Sequence, residues 1–132
     1  MKTILFVCVE NAGRSQIAEG FFKKLAPDCY EGISAGTKPV SEINPLAVQV
    51  MKEVDIDISQ NQSKLITNEM ILESSSVVNM GCMDTGSCPA LFEEDVADWH
   101  IGDPKGKSVE EVRKIRDVIK IKVKELIQNL DQ

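Results

Sequence analysis

Cys8, Arg14 and Ser15 stand at spacings that suit oxyanion chemistry, within the stretch ILFVCVENAGRSQIA at residues 4–18. Between the cysteine and the arginine lie Val9, Glu10, Asn11, Ala12 and Gly13. A loop of that length between a strand end and a helix start can curl so that its backbone N–H groups all point inward. That makes an anion-binding nest, reinforced by the positive end of the helix dipole. Asn11, Ala12 and Gly13 are small or turn-tolerant, which lets the backbone close around a guest. Arg14 can fold back and grip two oxygens of a tetrahedral oxyanion at once. The same field favours a thiolate at Cys8, and Ser15 is placed to donate its hydroxyl hydrogen to that sulfur. The stretch therefore predicts a nucleophilic thiolate held against a bound oxyanion. Glu10 is an acid beside an anion site; its side chain is expected to point outward while its N–H serves the loop. A buried cysteine beside a surface arginine would spell the same letters, but the preceding apolar run and the following serine and helix favour the chemical reading.

Those residues need a strand before them and a helix after them. Residues 3–7 (TILFV) are apolar and β-branched, as a strand buried on both faces would be. A helix is expected from Arg14 or Ser15 to about Leu25, with Ile17, Phe21, Phe22 and Leu25 on one side and Pro27 as its stop. A short strand around Glu31–Ala35 ends in Gly36. Asn44-Pro45 opens a helix reaching about Val54, with asparagine as cap and proline at the first position. Ser63–Ser74 reads as a helix with a modest apolar face, and Ser75–Met80 as a strand running directly into Gly81 and Cys82. Residues 81–95, with Gly81, Gly86 and Pro89, read as an irregular loop, and Val96–Ile101 as a last strand. Val112, Ile115, Ile119, Val123, Leu126 and Leu130 recur at helical spacing in a final helix whose lysines and glutamates form a solvated face. The alternation predicts a three-layer α/β sandwich with a small, about four-stranded, parallel sheet. In such sheets ligands bind outside the carboxyl ends of the strands, where Cys8 and Cys82 could share a crevice.

At 132 residues, 42% apolar and 27% charged, the chain is expected to form one domain over residues 1–132. The net charge of −6 argues against a nucleic-acid partner, which needs a basic face. No apolar run approaches the roughly 20 residues of a membrane span, so no membrane partner is expected. The run Thr3–Val9 is too short, and too soon followed by Glu10 and Arg14, for a secretory signal, so the protein is expected in the cytoplasm, acting as a monomer. In a reducing compartment Cys8, Cys29, Cys82 and Cys88 are catalytic, metal-binding or simply buried. Cys29 has no motif around it and reads as a spare. Cys82, Cys88 and His100 lack the two-pair spacing of structural zinc, so no metal is expected. Trp99 reads as packing.

The stretch VCVENAGRSQIAEGFF, together with Asp103-Pro104 in WHIGDPKGKS, resembles the low-molecular-weight tyrosine phosphatases. The resemblance implies that Asp103 acts as general acid to the leaving oxygen. Within that fold, VVNMGCMDTGSCPA is similar to the thiol-coupled arsenate reductases, which keep the phosphatase loop and add two redox cysteines. The resemblance covers nearly the whole chain. It implies attack of Cys8 on arsenate, a Cys8–Cys82 disulfide as arsenite leaves, and a Cys82–Cys88 disulfide reduced by thioredoxin or another thiol donor. Five residues separate Cys82 from Cys88, one fewer than in the thioredoxin-coupled pattern, which leaves the donor open. Phosphatases of this fold usually carry tyrosine after the Asp-Pro; here Lys105 follows, and Tyr30 is the only tyrosine. The alternative remains a phosphatase using Cys8, Arg14 and Asp103. Some members hold potassium beside the loop with an asparagine, a glutamate, a serine and an aspartate. Asn11, Glu19 and Ser34 match, but Lys64 stands at the aspartate position, so its ammonium is expected to replace the cation and no cofactor is required.

Overall fold

Strand β1 (Lys2–Cys8) runs between two neighbours, with β2 (Tyr30–Gly36) on one side and β3 (Ser76–Asn79) on the other. Its side chains alternate faces, as the two-residue period of a strand requires. Ile4, Phe6 and Cys8 join one buried cluster, and Leu5 and Val7 join the other. The structure, a computed structural model, describes residues 2–80, 96–99, 101–102, 104 and 106–130, with the backbone alone at 96–98. Strand β4 (Val96–Asp98) completes a parallel sheet in the order β2-β1-β3-β4.

Helices α1 (Arg14–Leu25), α2 (Pro45–Lys52) and α4 (Val109–Gln128) enclose the first cluster. Phe22 of α1 meets Phe6 edge-on at 5.7 Å between ring centroids, and Trp99 leans on the same ring at 6.0 Å. A Cβ at Gly32 would come within 2.8 Å of the Phe22 ring, so the aromatic seat depends on that glycine. The second face is covered by α3 (Asn68–Glu73), whose Met70 and Ile71 pack with Ile66 over Leu5, Val7, Ala35 and Val77. Helices on both faces of a parallel sheet are the expected three-layer arrangement.

The departures from expectation lie at element ends. Only 68–73 of the expected 63–74 helix is helical, because residues 63–66 bond to other parts of the chain, as set out below. Helix α2 ends at Lys52 rather than Val54; Ile56 N–H returns to Met51 O and Asp55 N–H to Lys52 O around Asp55 at φ 64. That pair of bonds around a left-handed residue is a helix-terminating motif in which glycine is the usual occupant. Leu25 is 38% exposed rather than buried with the rest of the α1 face. Strand pairing of β4 ends at Asp98, although Trp99 N–H still reaches Asn79 O. No described helix is long and apolar enough to cross a membrane.

Candidate active site

Cys8 is the last residue of β1 and pairs with Gly36, the last of β2. The chain passes from β1 to β2 on one side and later to β3 on the other, so β1 marks the point where the winding reverses. Ligands of such sheets bind in the crevice at that point. The loop that follows Cys8 has every carbonyl from Cys8 to Gly13 engaged on its outer side. Thr37 N–H donates to Cys8 O (3.3 Å), Lys38 to Val9 O (2.8 Å), Val40 to Glu10 O (3.3 Å) and Asn44 to Ala12 O (2.8 Å). Ile17 N–H caps Gly13 O (2.9 Å), and Asn11 O accepts from both Gln16 Nε2 (3.0 Å) and Ser63 Oγ (3.0 Å).

In a trans peptide the carbonyl of one residue and the N–H of the next point in opposite directions. No cis bond occurs among the described residues, so with carbonyls 8–13 turned outward the N–H groups of residues 9–14 turn inward. Asn11, at φ 52, supplies the left-handed step that lets successive N–H groups converge. Helix α1 begins at Arg14 behind Gly13, which gives no side-chain cap, so its first-turn N–H groups add to the same concavity. Gly36 permits the close approach: a Cβ there would lie 2.5 Å from Val9 O and 2.9 Å from Asn11 N.

The thiol lies against this concavity. Cys8 is 2% exposed, and its Sγ is 2.9 Å from Ser15 Oγ. Asn11 Oδ1 accepts from Lys64 N–H at 2.8 Å, which leaves its Nδ2 to donate to Ser15 Oγ at 2.8 Å. The serine oxygen thus accepts from Asn11 and lies against the Cys8 sulfur, with either atom able to donate between them.

Arg14 is buried, and its Nη1 donates to Ile101 O at 3.1 Å. Pro104 packs so closely on Gly13 that a Cβ at position 13 would sit 2.6 Å from Pro104 Cγ. Both contacts set Ile101 and Pro104 against the loop. A cavity there is lined by Cys8, Glu10, Gly13, Arg14, Asn44 and Pro104, among others. The arrangement can hold an oxyanion on backbone donors with a thiol in reach. Asp103, Cys82 and Cys88 lie outside the described residues, as does His100. Just beyond β3, Met80 N–H donates to Val7 O at 2.7 Å, beside Cys8. Cys29 is exposed and unbridged.

Behind the loop Glu19 is a carboxylate only 2% exposed. Ser34 Oγ donates to its Oε1 (3.1 Å), Asn61 Nδ2 to its Oε2 (3.2 Å), and Lys64 and Lys23 ammoniums lie at 4.0 and 3.6 Å. Ser34 and Asn61 donate into the carboxylate, Asn11 Oδ1 accepts from Lys64 N–H, and the two lysines place positive charge beside it. No cluster of His, Cys, Asp and Glu among the described residues could hold a metal.

Sequence reasoning missed Gln16, Asn61 and Ser63, whose partners in the site lie up to about fifty positions away in the chain. The one local hint was a polar residue on the buried side of α1.

A parallel sheet reversing at β1, with a thiol and arginine bracketing a closed loop, defines a class, and the sequence falls within it. The chain belongs to the low molecular weight phosphotyrosine protein phosphatase family, whose model matches residues 3–132. Among its relatives is arsenate reductase 2 of Staphylococcus saprophyticus, 39% identical over 130 residues and covering 97% of this chain and 98% of that one. A solved arsenate reductase in the phosphate binding state superposes with a TM-score of 0.87 at 36% identity, over 99% of this chain and 100% of that one. A thioredoxin-dependent arsenate reductase from Corynebacterium glutamicum gives a TM-score of 0.81 at 34% identity, over 97% of this chain and 61% of that one.

Proposed function

We propose that this protein is an arsenate reductase that reduces arsenate to arsenite with electrons from its own thiols. One observation carries the reading: the Cys8 thiol meets Ser15 at 2.9 Å beside a loop with all carbonyls anchored outward. The sequence adds Cys82 and Cys88, which phosphoryl transfer does not need, and relatives at about this identity are arsenate reductases.

In this mechanism arsenate sits on the N–H groups of Val9, Glu10, Asn11, Ala12, Gly13 and Arg14, with the Arg14 guanidinium drawn onto its oxygens. The Cys8 thiolate forms an S–As bond while Asp103 gives a proton to the departing oxygen, which leaves as water. Cys82 thiolate then attacks Cys8 Sγ. The S–S bond forms, the S–As bond breaks, and its electron pair reduces arsenic from the +5 to the +3 state. Cys88 attacks Cys82, releasing Cys8 as thiolate and leaving a Cys82–Cys88 disulfide. Thioredoxin or another thiol donor returns that disulfide to two thiols. The protein acts as a single-domain monomer in the cytoplasm and needs no bound cofactor.

A second reading, hydrolysis of a phosphate ester by Cys8, Arg14 and Asp103, is favoured by the family itself. A paired assay separates the two: arsenate-dependent NADPH oxidation through thioredoxin and its reductase, and p-nitrophenyl phosphate hydrolysis. Cys8→Ser is expected to abolish both, and Cys82→Ser only the first. Vigorous hydrolysis by the wild type, with no arsenate turnover on any thiol donor, would establish the phosphatase instead.

A further inference from the structure

Gln16 takes no part in the chemistry above, yet it is 0% exposed. A buried amide is tolerated only when its hydrogen-bonding groups are matched, and here they are. Nε2 donates to Asn11 O (3.0 Å) and Gln62 O (3.3 Å), and Oε1 accepts from Asn61 Nδ2 (3.0 Å). The side chain thus ties the loop after β1 to the segment around residues 61–64. That same segment delivers Ser63 Oγ to Asn11 O and Lys64 N–H to Asn11 Oδ1.

Three of these bonds, from Gln16 Nε2, Ser63 Oγ and Lys64 N–H, end on Asn11, the non-glycine residue of the loop held at a positive φ. Asparagine enters that conformation more readily than most L side chains, and the bonds around it hold it there. It matters twice over, because it turns the loop N–H groups inward and aims Nδ2 at Ser15 Oγ, which meets Cys8.

We propose that Gln16 is a positioning residue for the reactive thiol: its buried amide locks Asn11 in the left-handed conformation that closes the nest and directs Ser15 onto Cys8. This rests on Cys8 being a thiolate beside an oxyanion site, and not on what becomes of the oxyanion.

The test uses the full-length protein and reads no arsenate turnover. Cys8 is alkylated with iodoacetamide at neutral pH, with and without inorganic phosphate, and the modified peptides are counted by mass spectrometry. Exposed Cys29 serves as internal control. Gln16→Met keeps the length and the burial but loses every bond. It is expected to slow Cys8 alkylation about five- to tenfold and to raise the phosphate needed for protection by a similar factor, with Cys29 unchanged. In an Asn11→Ala background the same substitution is expected to add almost nothing, because the two act as one unit. Should Gln16→Met not fold, Gln16→Glu, which keeps the shape but turns an acceptor toward two carbonyls, is read in the same way. Cys8 reactivity and phosphate protection within about twofold of wild type, or equal slowing in the Asn11→Ala background, would overturn the proposal. A wild-type Cys8 that phosphate does not protect would overturn the oxyanion site and this inference together, whatever the outcome of the reductase assay.

Discussion

Ser15 Oγ stands 2.9 Å from Cys8 Sγ across the first turn of α1, and the hydroxyl also accepts from Asn11 Nδ2 at 2.8 Å. With Cys8 as the thiolate proposed above, the serine hydroxyl is its donor. Ser15→Ala removes that donor and leaves the backbone nest in place. We expect kcat to fall about ten- to hundredfold, the range of a lost hydrogen bond to a charged group. Inhibition by phosphate should be nearly unchanged. A variant that loses phosphate affinity and keeps kcat would place Ser15 in binding instead.

Gly13 and Pro104 touch where neither has room to move: a Cβ at 13 would lie 2.6 Å from Pro104 Cγ. Gly13→Ala must displace the Asp-Pro segment or the loop, and a shift of about 1 Å in reacting groups can cost about a hundredfold in rate. We expect such a drop in turnover with far-UV circular dichroism unchanged. Wild-type kinetics in this variant would mean that the packing of Pro104 on the loop is irrelevant to the chemistry.

Lys64 Nζ lies 4.0 Å from Glu19 Oε1, and we expect its ammonium to stand in for a bound cation. An ion bound specifically to the folded state would raise the melting temperature. Turnover and melting temperature should therefore agree in KCl and NaCl at matched ionic strength. A gain specific to potassium would refute this.

Glu53, just past the end of α2, ties that helix to α4. Arg113 Nε and Nη2 reach its carboxylate at 3.0 and 2.7 Å, and Arg116 Nη1 at 2.9 Å. Chiefly through the Arg113 hydrogen bond, and against desolvation, its carboxyl is held below the ordinary glutamate range. A folded-state value lowered in this way contributes stability that is present above the unfolded value of about 4.3 and is lost as pH falls through the folded one. Glu53→Gln should therefore melt below wild type at about pH 7, with the gap closing toward about pH 3. A gap that stays constant over that range would rule out the charge as its source.

The elements most legible in the sequence were those whose signals are local. β1 is an unbroken apolar run, α4 repeats its apolar positions at helical spacing, and Asn44 caps α2 with Oδ1 accepting from Leu46 N–H at 2.9 Å. The closed loop at the end of β1 was legible because Cys8, Arg14 and Ser15 lie within one turn of a strand–helix junction. Segment 63–66 was not, since distant partners set its conformation. Gly36 N–H donates to Lys64 O, Ile66 N–H to Gly36 O, and Ser63 and Lys64 bond to Asn11. No helical propensity could compete with those bonds. Asp55 was equally opaque, because a left-handed aspartate leaves no mark that separates it from an ordinary surface acid.

The outward-turned carbonyls of residues 8–13 bear on protein engineering. Their partners sit at positions 16, 17, 37, 38, 40, 44 and 63, so the loop carries only part of the instructions for its own shape. A transplant of residues 8–15 onto another strand–helix junction would carry the thiol but not the scaffold that turns the amides. A portable cassette would have to include the stretches from 36 to 44 and from 61 to 64, with their spacing to the sheet preserved. The site is in that sense a property of three chain segments, and it can be inherited or moved only with all of them.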